Sequence, residues 1–152
     1  MILTQASSGP CAAELVLALD KGTTANEQVV GASRTRPERD GQPPASRLRC
    51  ARCGLEITSS DLRIEVHGSH RHTFANPHGL VFAIACFASA IGCTCHGVES
   101  TEFSWFPGYA WRIALCSGCG THLGWGFRSA DHAFHGLVYD RLVDSPSGSP
   151  SA

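Results

Sequence analysis

Apolar positions recur every second residue through much of this chain. Leu62, Ile64 and Val66 alternate with Arg63, Glu65 and His67; Trp111, Ile113 and Leu115 alternate likewise, and Leu123, Trp125 and Phe127 keep the same rhythm. Successive side chains of a strand point to opposite faces, so each run predicts a strand with one apolar side. The apolar run from Leu80 to Ala90 fits a buried strand or a short helix, and a strand is expected. Asn76-Pro-His-Gly79 and Pro107-Gly108 are turn signals between such runs. The expected fold class is mainly β.

Outside this region the pattern fades. Residues 31–47, GASRTRPERDGQPPASR, are rich in Pro, Gly and charge and hold almost nothing whose burial could offset ordering entropy. Ala12 to Leu19 could form a short helix, marginal without a packing partner. The end of the chain, SPSGSPSA, is polar and of low complexity. The expected organisation is a disordered tail and linker over 1–47, one folded domain over 48–143 and a disordered tail over 144–152, within a length suited to one domain.

Charge adds little: Lys plus Arg number 12 against 13 Asp plus Glu, with no basic block to attract nucleic acid. No apolar stretch approaches the ~20 residues of a membrane span. Met1 is followed by no basic, apolar leader, so the eight cysteines are expected in a reducing, cytoplasmic setting rather than in a disulfide framework.

Four of those cysteines form two Cys-x-x-Cys pairs, Cys50 with Cys53 and Cys116 with Cys119, each followed directly by glycine, Gly54 and Gly120. Two intervening residues let both thiolates converge on one ion, and glycine lets the chain turn tightly behind them. The expectation is a single tetrahedral zinc bound by four thiolates. With no open coordination position its role is structural, and it would pin the start of the domain to its far half. Cys93-Thr-Cys95-His96 is poor geometry for a second knuckle, and Cys86 reads as a buried small hydrophobe.

All three tryptophans, Trp105, Trp111 and Trp125, crowd around the second cysteine pair. Strand alternation would put Phe103 and Trp105 on one face, Glu102 on the other, and Trp125 with Phe127 on one face. The turn at Pro107-Gly108 could bring Trp111 to the same place. Gly124 and Gly126 around Trp125 permit close approach of backbone or ligand. Three aromatic walls suit a flat neutral or cationic ring, with backbone donors and acceptors for its polar edge. A cage for a methylated ammonium usually adds a carboxylate, so a neutral ligand is preferred.

The string TEFSWFPGYAW at 101–111, together with Asn76-Pro-His-Gly79 and CSGCGTHLGWGF at 116–127, resembles the thalidomide-binding (CULT) domain family of cereblon. Within that family the likeness is to a single-domain bacterial homologue and covers nearly all of 48–143. The resemblance implies a β-tent, two antiparallel sheets pinned by one four-cysteine zinc site. It implies that Trp105, Trp111 and Trp125 enclose a glutarimide ring, with the backbone of Phe103 and Trp105 on its imide edge and Ser104 in the same ligand-binding stretch. Asn76 and Pro77 would border the entrance, and Phe127 would close the cage. Phe103 stands where vertebrate cereblon has His, which bears on selectivity. The implied partners are cyclic imides of the thalidomide type, uracil-like rings and C-terminal cyclic imides on proteins, without the ubiquitin-ligase adaptor.

Methionine-R-sulfoxide reductases also pair Cys-x-x-Cys knuckles with a string similar to THLGWGF at 121–127. They need a nucleophilic thiolate on the following strand, where FHGLVYD at 134–140 has none. His122, His132 and His135 lie nearby without a catalytic spacing, so each is expected to be structural or exposed. A binding protein rather than an enzyme is expected. A nucleic-acid-binding zinc ribbon would want more Lys and Arg than Arg112 and Arg128.

Overall fold

A computed structural model describes Gly9–Pro10 and residues 44–145. Contacts divide the chain into Met1–Ala13 with Pro44–Ala152 and a second unit, Glu14–Pro43, none of whose residues is described. The short helix expected at 12–19 and most of the two expected tails lie outside the described residues.

The strands in chain order are β1 (Gly9–Pro10), β2 (Arg47–Cys50), β3 (Glu56–Ser59), β4 (Arg71–Ala75), β5 (Val81–Phe87), β6 (Cys93–Ser100), β7 (Ala110–Cys116), β8 (His122–Arg128), β9 (Ala133–Val138) and β10 (Leu142–Ser145). Strand structure thus begins at Arg47 and ends at Ser145, slightly outside the 48–143 segment read from the sequence. Single 3-10 turns occur at Ser60–Leu62 and Tyr139–Arg141, and no α-helix is found among the described residues. One sheet has seven strands in the order β1-β6-β7-β8-β9-β5-β4, and a second has three in the order β10-β2-β3. Every pairing is antiparallel.

The large sheet is covered on both faces. On one, Leu48, Cys50 and Ile57 of the small sheet meet Ala85, Phe87, Cys93, Ala114, Cys116 and Leu137. On the other, Ile84, Cys86, Phe134 and Val138 pack with Val66, Phe106, Phe127 and the three indoles. β5 therefore sends alternate residues into two different apolar layers. Burial on both faces is why its sequence is a continuous apolar run.

Two local expectations are corrected. Residues 62–67 do not form a strand: beyond the 3-10 turn this stretch makes only isolated bridges, Arg63 with Phe87 of β5 and Val66 with Ser69 across the turn that follows. It is stitched to β5 by Ile64 N to Cys86 O and Ala88 N to Leu62 O, and His67 ends it in the left-handed region at φ 50°. The alternation is still real, since Val66 is buried while Arg63, Glu65 and His67 are exposed. A period of two records which side is covered; a ladder also needs a neighbouring edge in register.

In β8 the three apolar positions do not share a face. The β7–β8 register slips between Ala114 and Leu115: Ile113 faces Trp125 and Ala114 faces Gly124, but Leu115 faces His122. Leu123 is the extra residue of a β-bulge. It turns into the core beside the small sheet, while Trp125 and Phe127 join the aromatic layer.

Candidate functional site

The two cysteine knuckles are near-copies of one another. In each, the first cysteine accepts a bond from the glycine four residues on, Gly54 N to Cys50 O and Gly120 N to Cys116 O, both at 2.8 Å. Each first cysteine also donates its own N–H across the loop, Cys50 to Leu55 O and Cys116 to Thr121 O, both at 2.8 Å. Both glycines are left-handed, φ 75° and 73°, a region costly for any residue with a Cβ.

Cys50 ends β2 in the small sheet and Cys116 ends β7 in the large one, so the knuckles meet where the sheets meet. The sulfur pairs Cys50–Cys119 and Cys53–Cys116 lie 3.7 and 3.5 Å apart, and all four ligand atoms fall within 4.8 Å of one another. A metal held by four thiolates at about 2.3 Å would set the sulfurs about 3.8 Å apart, so this donor set fits one tetrahedral ion. Burial is the main cause acting on the Cys116 thiol and raises it, while the backbone amides of Cys119 and Gly118 bond its sulfur and act in the opposite direction. The Thr121 hydroxyl, 3.1 Å from the Cys119 sulfur, is the main cause that holds that thiol down at about 6.

The other cysteines among the described residues are different. Cys86 and Cys93 are free, buried thiols pushed up by burial to about 12, a poor state for a nucleophile. Cys95 is disulfide-bonded, a bond the sequence reading did not anticipate, and it is therefore no metal ligand.

Against the aromatic layer lies a cavity of about 680 Å³. Seven of the eight candidate ligand-binding residues line it: Asn76, Pro77, Phe103, Trp105, Trp111, Trp125 and Phe127. Ser104 does not; its hydroxyl donates to Phe106 O at 3.0 Å and its N–H to Thr101 O, holding the loop.

Each wall has a local cause. The β4–β5 hairpin turns at Asn76, whose side-chain oxygen accepts the N–H groups of His78 and Leu80 at 3.0 and 2.9 Å, with Gly79 at φ 80°. Phe103 and Trp105 stand on an irregular loop between β6 and β7, so the expectation that strand alternation places them is wrong. Phe103 is itself left-handed at φ 55° and 68% exposed.

Trp105 stacks on Phe74 at 5.1 Å and 14°, and its indole N–H donates to Ala75 O at 3.1 Å. Trp125 meets Trp105 at 4.7 Å and 72°. Trp111 makes no ring contact with either; its indole N–H donates to Glu102 O at 2.8 Å, tying β7 back to the loop. Two indoles meet at a corner, and the third lines the same cavity without touching their rings. Trp111 and Ile113 share a face of β7 by alternation and pair with Phe127 and Trp125 of β8, which puts four lining residues on one surface.

The sequence reading missed Phe82, His78, Ile113 and His122, which also line the cavity. Ile113 and Phe82 were within reach, two residues from Trp111 and from the buried Ile84 on the same faces. His122 was not, because only the bulge turns it to this side. Its ring is half-buried and perpendicular to Trp125 at 4.8 Å and 89°.

No family model matches the chain. Curated relatives named Protein cereblon do. The Gallus gallus protein is 38% identical over 118 residues, covering 72% of this chain and 26% of that protein. The Danio rerio protein is 38% identical over 124 residues, 76% of this chain and 28% of that one. The Xenopus tropicalis protein is 38% identical over 97 residues, 62% and 22%. The chain thus spans about a quarter of the length of the curated relatives it matches. Among solved structures, the Caenorhabditis elegans Dicer-related helicase 3 C-terminal domain with a 5'-ppp 8-mer ssRNA aligns with TM-score 0.42 at 13% identity, over 70% of this chain and 58% of that one; no functional reading rests on it.

Proposed function

The chain belongs to the cereblon family, and from that premise we propose that it is a ligand-binding protein holding a small cyclic imide or uracil-like ring among Trp105, Trp111 and Trp125. The observation that carries the reading is that three indoles from a loop and two strands line one cavity of about 680 Å³. That size is ordinary for a small-molecule site, and aromatic walls with few polar groups favour a flat, weakly polar ring. The indole N–H groups of Trp105 and Trp111 are already bonded to Ala75 and Glu102, so these two rings offer the ligand faces and edges rather than donors.

The ring's polar edge would fall to the loop backbone at Phe103 and Trp105, with Asn76 and Pro77 at the rim. Leu80 and Val81, 59% and 67% exposed, extend the apolar border outward from the hairpin. This leaves room for a ring carried on a larger molecule, including a cyclic imide at a protein C-terminus. The four-cysteine site would hold a structural Zn²⁺, since soft thiolates in tetrahedral array suit that ion.

The reading is non-enzymatic. Among the described residues no cysteine borders the cavity, and the free thiols outside the metal set, Cys86 and Cys93, are buried and protonated. A sulfoxide-reduction assay with a dithiol should show no turnover.

The direct test is tryptophan emission of the zinc-loaded protein during titration with glutarimide. Stacking should quench it, and Trp111→Ala should abolish the response. Unchanged emission of folded protein at about 1 mM ligand, where even a −4 kcal/mol interaction would half-fill the site, refutes the reading.

A further inference from the structure

We infer that His122 determines specificity in this cavity, its Nδ1 accepting a hydrogen bond from a ring N–H and so favouring cyclic ureides, which carry a second ring N–H, over simple imides. The inference rests on the ring-binding reading above and deepens it by naming the ligand class.

Three observations carry it. The first is the bulge: with Leu123 inserted, His122 lands opposite Leu115 on the cavity side of β8, and it lines the cavity next to Trp125. An unbroken strand would have sent this ring into the core. Bulges beside binding sites commonly re-aim a side chain in this way.

The second is the tautomer. Nε2 lies 2.9 Å from Gly124 O, and a carbonyl oxygen only accepts, so Nε2 carries the proton and donates. In the neutral ring Nδ1 is then a lone-pair acceptor. Burial is the main cause holding this imidazole's pKa below its ordinary value; the Gly124 carbonyl raises it, and the Arg141 guanidinium, which bonds the His122 carbonyl, lowers it again. The neutral form therefore prevails near pH 7.

The third is that the other polar side chains of the lining are bonded to backbone or lie at the exposed rim. The Asn76 oxygen is bound to His78 and Leu80, and the indoles of Trp105 and Trp111 are donors bound to backbone. His78 is exposed at the rim. Among the described residues nothing is bonded to His122 Nδ1. Where a ligand meets that open acceptor it selects for a donor, because a ligand that offers CH₂ there leaves it unpaired.

Glutarimide and dihydrouracil make the comparison. They are six-membered rings of one shape, with one CH₂ of the first replaced by N–H in the second. Both are titrated by tryptophan quenching against the full zinc-loaded chain and its His122→Phe variant, whose folding is checked by melting. His122→Phe should weaken dihydrouracil about fivefold, the value of one neutral hydrogen bond, and leave glutarimide within about twofold. In the unaltered protein the ¹⁵N resonance of His122 Nδ1 should move upfield with dihydrouracil and stay in place with glutarimide. Equal losses for both rings, no loss for either, or an Nδ1 resonance indifferent to dihydrouracil overturns the inference. Failure of both rings to quench the unaltered protein sinks the ring-binding reading itself, and this inference with it.

Discussion

Replacing Gly124 by alanine should be among the most damaging single changes in the folded unit. A Cβ built there would lie 2.1 Å from Gly136 O, 2.8 Å from Leu137 Cα and 3.0 Å from Gly136 C. These are backbone atoms of β9, which cannot rotate away like the end of a side chain. Ordinary contact would require β8 and β9 to separate by roughly 1 Å or more, stretching the adjacent rungs of their ladder. Overpacking costs about 1–3 kcal/mol and each compromised rung about 1 kcal/mol, giving a loss of about 3–5 kcal/mol. For a domain of this size that is a fall in Tm of more than about 12 °C.

Gly79→Ala is the matched control. Its Cβ would meet nothing within 4 Å, so only the left-handed backbone at φ 80° is penalised, by about 1–2 kcal/mol. Thermal melts of the two variants against the parent, each loaded with zinc, read the difference. A Gly124→Ala protein that melts within about 3 °C of the parent would refute the close approach of β8 to β9 at this position.

Three further outcomes follow from particular contacts. Metal chelation, or Cys116→Ser, should abolish cooperative melting, because the ~10 kcal/mol of a structural zinc site is comparable to the whole stability of a domain this size; an unchanged melt would contradict the role given to the four sulfurs. Trp105→Phe keeps a ring on Phe74 but loses the bond to Ala75 O, so glutarimide affinity should drop several-fold in a quenching titration while Tm changes little. His135 is buried with both ring nitrogens unpaired, and burial lowers its pKa to about 4 from 6.5. The unfolded chain binds its proton first, so stability is full above pH ~6.5 and falls by about 3 kcal/mol towards pH ~4. His135→Leu should flatten that slope relative to the parent in denaturant melts at pH 7 and 5, and parallel slopes would count against it.

The two knuckles, the Asn76 turn and the strand character of β5 were legible in the sequence because each rests on interactions within a few residues or on burial of the element as a whole. Cys-x-x-Cys-Gly closes its own loop by a bond from the fifth residue to the first, whatever the rest of the chain does. The convergence of tryptophans was visible as a cluster, but its geometry was not. The loop that carries Phe103 and Trp105 has no strand partner to enforce alternation; Trp111 is tied to it by a carbonyl at Glu102, and the tie exists only once β6 and β7 are paired. The bulge at Leu123 is the clearest case. Whether His122 faces a core or a cavity depends on one slipped rung against β7, and a slip of one residue reverses every side chain beyond it. Sequence thus determined the metal-binding turns and the supply of aromatic rings, while pairing between distant strands decided which of those rings, and which histidine, surround the same space.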